Sequence, residues 1–396
     1  MNNISFVNKK CCGCRSCEQC CPVNAITFYE NDEGFFYPQV DAEKCISCGL
    51  CVKKCPVAEP KYQEFNQKGY AAYFQNREAL RKSSSGGMFY AMAQYILENG
   101  GVVFGCAELA PGNVKHILVE RVEDLRLLQG SKYVESDIQG VYSAVKEQLR
   151  KGRTVLFSGT PCQVAGAKKF IGINDRLICV DIICHGVPSR KMYNSYLEWF
   201  EKKNGGKVRE YYFRSKEKND WSLTYRAVVE KNNKQKVFEA IASLDPYYNH
   251  FLKGYAYRDS CYQCSYANPK RVSDITIGDF WGIEKVAPHF MNIDGVSAVL
   301  VNSVAGEKLW EDISDKVVVM SVEAEEIIKN NGQLQKPSQR PDVRESIYKE
   351  FSENGFGFIA DKYKDKKEVF IDSIRDMIPN KIRQKIKKTI KRLLGK

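Results

Sequence analysis

Two cysteine runs stand out in the first sixty residues: CCGCRSCEQCCP at 11–22 and CISCGLCVKKCP at 45–56. The second places thiols at Cys45, Cys48, Cys51 and Cys55, the spacing C-x2-C-x2-C-x3-C-P. The first allows two registers, and its terminal Cys-Pro decides between them. Counting back from Cys21 selects Cys11, Cys14, Cys17 and Cys21 and leaves Cys12 and Cys20 over. Three thiolates two residues apart can wrap a tight loop round one iron–sulfur cubane, with backbone N–H groups turned toward its sulfides. The cysteine before proline comes from the next turn and reaches the other cluster. Zinc sites use pairs of C-x2-C instead. Ten of the sixteen cysteines fall between Cys11 and Cys55 of a 396-residue chain. Metal binding therefore fits better than a disulfide framework.

These runs resemble the bacterial two-cluster ferredoxin. The resemblance implies one 4Fe-4S cluster on Cys11, Cys14, Cys17 and Cys55, and a second on Cys45, Cys48, Cys51 and Cys21. Cys12 and Cys20 depart from that pattern; they read as small packing residues or as substitute ligands after damage.

Six cysteines lie downstream. Cys106 and Cys179 sit in apolar runs and read as core. Cys162, Cys184, Cys261 and Cys264 fall in loops at strand ends, where they can form a four-thiolate site if the fold brings the loops together. Either zinc or a further cluster would suit such a set.

The elements that must do this are short β-branched runs alternating with helical stretches over 69–322. GYAAYF, VVFGC, HILVE, TVLFS, LICVDI, DITIGD and SAVLVN read as buried strands. Residues 86–98, 137–150 and 189–203 read as helices, the first capped by Ser85 and the third opened by Pro188–Ser189. The alternation predicts an α+β or α/β domain with a largely buried sheet, set after a small ferredoxin-like domain at 1–60 and a polar link. A charged extension over 323–396 completes the chain. It ends in a basic amphipathic helix at 378–396, suited to an anionic membrane surface or to solvent.

SSSGGMFYAMAQYI (83–96), QGSKYVES (129–136), LFSGTPCQVAG (156–166), CHGVPS (184–189), CYQCSY (261–266) and DITIGDFWG (274–282) occur in that order. Together they resemble the coenzyme F-420 hydrogenase/dehydrogenase beta-subunit family, over nearly all of 1–320. The resemblance implies FAD, and a third 4Fe-4S cluster near it on Cys162, Cys184, Cys261 and Cys264. For the flavin, Ser84, Ser85, Gly86 and Gly87 open a helix and offer N–H groups to phosphate or an anionic ring. Lys132, beside Tyr133, can neutralise pyrophosphate; Thr160 and Gln163 flank Cys162; Asp279 and Trp281 close the pocket. Any of these can instead be an ordinary cap, core or solvated residue. His185 can supply a proton or make a structural hydrogen bond.

The expected function is an iron–sulfur flavoprotein oxidoreductase. It would link a hydride carrier or small-molecule substrate at FAD to an external redox partner protein. The family's range includes deazaflavin chemistry and compounds tied to polysaccharide synthesis. A non-catalytic electron-transfer subunit is the alternative. The +12 formal charge lacks a groove-reading motif, so no nucleic-acid partner is expected. No apolar leader opens MNNISFVNKK, which predicts a cytoplasmic protein, peripheral at the inner membrane surface if its tail binds lipid.

Overall fold

The computed structural model describes residues 2–218 and 220–378. The expected basic helix, and with it the expected membrane contact, lies outside the described residues from 379 onward. Among the described residues no helix is long and apolar enough to cross a membrane.

The two cysteine loops flank a hairpin of β1 (Ile26–Glu30) and β2 (Phe36–Val40), paired antiparallel from Ile26–Val40 to Glu30–Phe36. Asn31 shapes the turn: its Oδ1 accepts from Phe35 N–H at 2.8 Å, and Gly34 takes a left-handed φ of 86°. Phe35 is fully buried, so the hairpin faces the rest of the protein.

The larger part is built on β3 (Lys68–Phe74), β4 (Val102–Glu108), β5 (Val114–Val119), β6 (Val155–Gly159) and β7 (Leu177–Ile182). Three strands, β8 (Lys207–Tyr212), β9 (Thr224–Lys231) and β10 (Lys234–Ile241), form a separate antiparallel sheet. After them come β11 (Ile275–Asp279), β12 (Ser297–Val301) and β13 (Val317–Val322). The main sheet has eight strands in the order β13-β3-β12-β11-β7-β6-β4-β5. Its centre, β4-β6-β7-β11, is parallel, and its outer pairs are antiparallel.

Period-two alternation sends neighbours to opposite faces. Leu156 packs in one core with Met92 and Ile96 of the Met88–Glu98 helix, while Val155 and Phe157 pack in another with Val145 and Val164. Both faces are thus covered, which explains why the central strands read as unbroken apolar runs. The mixed α/β architecture behind a small ferredoxin-like region agrees with the sequence, and all seven expected strands are present. The second sheet gave no such signal because β10, KQKVFEAI, is exposed along its first half and carries lysine where a buried strand would be apolar.

One cap differs from expectation. Gly87, not Ser85, precedes the Met88–Glu98 helix, in a left-handed conformation with φ 79°. The Ser85 hydroxyl instead donates to Val296 O at 3.0 Å, so it ties the loop to the sheet.

A second, aromatic core joins the remaining pieces. Tyr193 and Tyr196 of the Arg190–Asn204 helix meet Tyr211, Phe213, Tyr247 and Phe356. Two buried arginines fasten the cysteine-rich segment to this core. Arg344 pairs with Glu33 at 2.9 and 2.7 Å, and Arg258 pairs with Glu135 at 2.5 Å while donating to the carbonyls of Cys11 and Phe36.

Candidate functional site

The N-terminal thiols gather in two places. Cys17 feels the charges of Cys11 and Cys55, and Cys14 those of Cys55 and Cys17, so these four share one neighbourhood. Cys51 neighbours Cys48, and Cys20 sits beside Cys51 and Cys21. Backbone donors point at the sulfurs: Gly13 N–H to Cys11 Sγ at 3.4 Å and Ala25 N–H to Cys21 Sγ at 3.2 Å. Further N–H groups reach Cys55 from Val57 and Ala58, and Cys51 from Ile4 and Val52. Burial pushes the thiols of Cys11, Cys17 and Cys55 above their ordinary range. Donors aimed at desolvated sulfur favour the thiolate, the form a metal binds.

The second set forms at the carboxyl edge of the parallel strands, where open α/β sheets place their sites. Cys162 is the second residue of the Pro161–Ile171 helix after β6, and Cys184 follows β7. Cys261 lies within, and Cys264 closes, the short Asp259–Gln263 turn. Cys184 has Cys261, Cys162 and Cys264 as charged neighbours, so all four loops meet. Their sulfurs also receive donors: Gly186 N–H at Cys184, Val187 N–H at Cys261, and Tyr266 and Ala267 N–H at Cys264. Every cysteine is a free thiol. Among the described residues no three His, Cys, Asp or Glu side chains converge on a single-ion position. A zinc with bonds of about 2.3 Å needs its sulfurs within about 4 Å of one another.

A cavity of about 730 Å³ opens beside this set and is lined by Cys162, Cys184, Cys261 and Cys264. Its other wall carries Ser84, Ser85, Gly87, Lys132 and Tyr133. Ser84 Oγ accepts from Ser131 N–H at 2.8 Å, which locks the serine–glycine loop to the loop bearing Lys132. Lys132 Nζ donates to the carbonyls of Gln129 at 2.8 Å and Leu127 at 3.3 Å, and burial lowers its pKa. Tyr133 stacks on Phe251 at 4.2 Å.

Gly86 is placed elsewhere. Its N–H donates to Ser297 Oγ, and a Cβ there would lie 2.3 Å from Ala72 O. The absent side chain lets the loop seat on β3 and β12; it does not admit a ligand.

Thr160 and Gln163 line the cavity but are partly occupied with each other, since Thr160 N–H donates to Gln163 Oε1 at 3.0 Å. Gln163 continues to Ser136 Oγ, which meets His116 Nδ1 at 2.9 Å. Burial pushes His116 down to about 4, so it is a neutral link in this chain. Trp281, 39% exposed, stacks on Trp221. Asp279 forms a two-pronged pair with Arg214, at 2.6 and 3.1 Å, and accepts from Trp221 Nε1 at 2.7 Å. Burial would raise the Asp279 carboxyl, but the Arg214 guanidinium outweighs it and holds the group below the usual carboxylate range. His185 lines the mouth, where lost hydration lowers its pKa, and its ring lies 6.3 Å from Phe251.

Arg214, His116 and Trp221 were not legible as site residues. Arg214 sits in the lysine-rich stretch YFRSKEK and gains meaning only from Asp279, sixty-five residues away. Cys106 also departs from expectation, since it lines the cavity; Cys179 is core, as expected.

The helix bearing Cys162 presses on the first cysteine loop at Gly166. A Cβ there would lie 2.7 Å from Tyr142 Oη and 3.1 Å from Cys14 Sγ. Gly166→Ala is expected to destabilise the protein by about 1–3 kcal/mol through this overpacking. Urea denaturation of the anaerobic protein measures it, and an unchanged midpoint would contradict the close approach.

Residues 152–327 match the family model that describes the C terminus of the coenzyme F420 hydrogenase/dehydrogenase beta subunit, and residues 10–58 match the 4Fe-4S dicluster domain. No curated protein matches the chain. A chain from the xenon-derivatised F420-reducing [NiFe] hydrogenase complex of Methanosarcina barkeri is 19% identical. The match covers 69% of this chain and 92% of that one, with a TM-score of 0.44.

Proposed function

Because the chain belongs to the coenzyme F420 hydrogenase/dehydrogenase beta-subunit family and carries a 4Fe-4S dicluster domain, we propose that it is an iron–sulfur flavoprotein oxidoreductase. It would hold FAD in the 730 Å³ cavity and three 4Fe-4S clusters on the sets Cys11/Cys14/Cys17/Cys55, Cys45/Cys48/Cys51/Cys21 and Cys162/Cys184/Cys261/Cys264. The observation that carries this reading is a single cavity with four thiols on one wall and a serine–glycine loop beside buried cations on the other. The donor-rich sulfurs, and their spacing too open for one ion, suit a cluster better than zinc.

A bound flavin supplies the junction between two-electron hydride chemistry and one-electron clusters. The chain's residues prepare its place. Ser84, Ser85 and Gly87 offer the polar lining for phosphate, and the buried Lys132 supplies positive charge without a rearranging water shell. The Arg214–Asp279 pair is locked before any ligand arrives and fixes the Ser84 carbonyl, to which Arg214 donates at 3.0 Å. His185, at the mouth, is placed to hold or pass a proton at its imidazole. At the opposite end, Cys48 is exposed and Ile46 beside it is 62% exposed. That end suits docking of an external redox partner.

Anaerobic mixing of the FAD-loaded protein with a reduced deazaflavin, or with reduced nicotinamide, tests the reading. One of these donors is expected to bleach the flavin band and then to reduce an added one-electron acceptor. Bleaching by dithionite alone, with every hydride donor inert, would contradict it and favour an electron-transfer subunit whose chemistry sits on a partner.

A further inference from the structure

Cys12 is surplus to both cysteine runs, yet it occupies the joint between two thiol sets. Its sulfur is in hydrogen-bond contact with Cys14 on one side and with Cys162 on the other. The same side chain lines the cavity. The backbone around it is firmly placed. Gly13, next in sequence, has a left-handed φ of 72°, and a Cβ there would meet Glu135 Oε1 at 2.5 Å and an Arg258 terminal nitrogen at 2.8 Å. Arg258 also donates to Cys11 O at 3.3 Å. From the far side, Gly166 admits Cys14 to within 3.1 Å of where its Cβ would stand, one turn along the helix from Cys162. The 11–14 loop is therefore pinned against the helix that begins at Cys162.

We propose that Cys12 is a positioning residue whose S–H is shared between Cys14 and Cys162, joining the first ferredoxin-type set to the Cys162/Cys184/Cys261/Cys264 set and setting the reduction potentials of both. This rests on the proposed cluster assignment at those two sets. A thiol has one proton and donates it to one acceptor at a time. Ligand sulfurs become better acceptors as negative charge accumulates on them, and hydrogen bonds to them help set the potential. A donor placed between two such sulfurs turns toward whichever carries more charge. It thereby favours the reduced state at either set and gives the two a common contact.

The test uses the full chain, purified without oxygen, as wild type, Cys12→Ala and Cys12→Ser. Iron is counted first, and each cluster is then titrated electrochemically with its magnetic-resonance signal as readout. Cys12→Ala is expected to keep the wild-type iron content while reduction becomes about two- to tenfold less favourable at both sets, the worth of one net hydrogen bond. Cys12→Ser, which keeps a donor, is expected to recover most of that loss. Unchanged titrations in Cys12→Ala, or a shift at only one set, would overturn the shared donor. Loss of one cluster's iron in Cys12→Ala would overturn it too, by making Cys12 a ligand. A wild-type protein holding only two clusters fails differently: it removes the third-site assignment itself, before any variant is compared.

Discussion

Cys162→Ala is expected to lower the iron of anaerobically purified protein from about twelve to about eight atoms per chain, leaving the two ferredoxin-type signals in place. The reason is geometric. Cys162 comes from the loop after β6, Cys184 from the loop after β7, and Cys261 and Cys264 from a turn far along the chain. No other set shares these residues, so the loss should stay local. The alanine also avoids a folding artefact, because Pro161–Ile171 keeps its proline start and the Thr160–Gln163 contact. Cys12, in contact with Cys162, is the nearest thiol that could step in. Full iron in Cys162→Ala but not in the Cys12→Ala/Cys162→Ala double variant would reveal that substitution. Full iron in both would refute the third set.

Arg258→Leu is expected to cost about 3–5 kcal/mol, the usual penalty for leaving a buried charge without its partner. Arg258 is fully buried, with Phe35 and Tyr37 rings 4.8 and 4.9 Å from its guanidinium. Removing it strands the Glu135 carboxylate, whose Oε2 already lacks a hydrogen-bond partner. It also frees the carbonyls of Cys11 and Phe36, which anchor the cysteine-rich segment. The double variant Arg258→Leu/Glu135→Leu should regain a good part of the loss, since apolar replacement of a whole buried pair is often tolerated. Denaturation midpoints of the anaerobic proteins decide it. A single variant within about 1 kcal/mol of wild type, or a double variant no better than the single, would contradict this role.

Much of the fold was legible because the central strands are buried on both faces and must be apolar throughout, as in VLFSG and SAVLV. The second sheet was not, because β8 and β10 expose lysine and glutamate and so lack any buried run. The cysteine sets were legible from spacing where the ligands are close in sequence. Convergence of Cys162, Cys184 and Cys261 depended on loops that only the parallel strand order brings to one edge. Arg214 and Lys216 were hidden for a related reason. Lysine and arginine in a charged stretch read as solvated, whereas here Lys216 is buried and donates to the carbonyls of Leu80 at 2.9 Å and Ser85 at 2.8 Å. Cys12 and Cys20 looked like packing residues because no spacing rule includes them. Their neighbours, Cys162 and Cys51, are set by tertiary packing.

Iron, acid-labile sulfide, zinc and flavin should be measured on one anaerobic preparation of the full chain. About twelve irons with matching sulfide and one FAD per chain is the predicted result. Zinc in place of iron in any of the three sets, or a protein that neither retains nor takes up FAD, would contradict it.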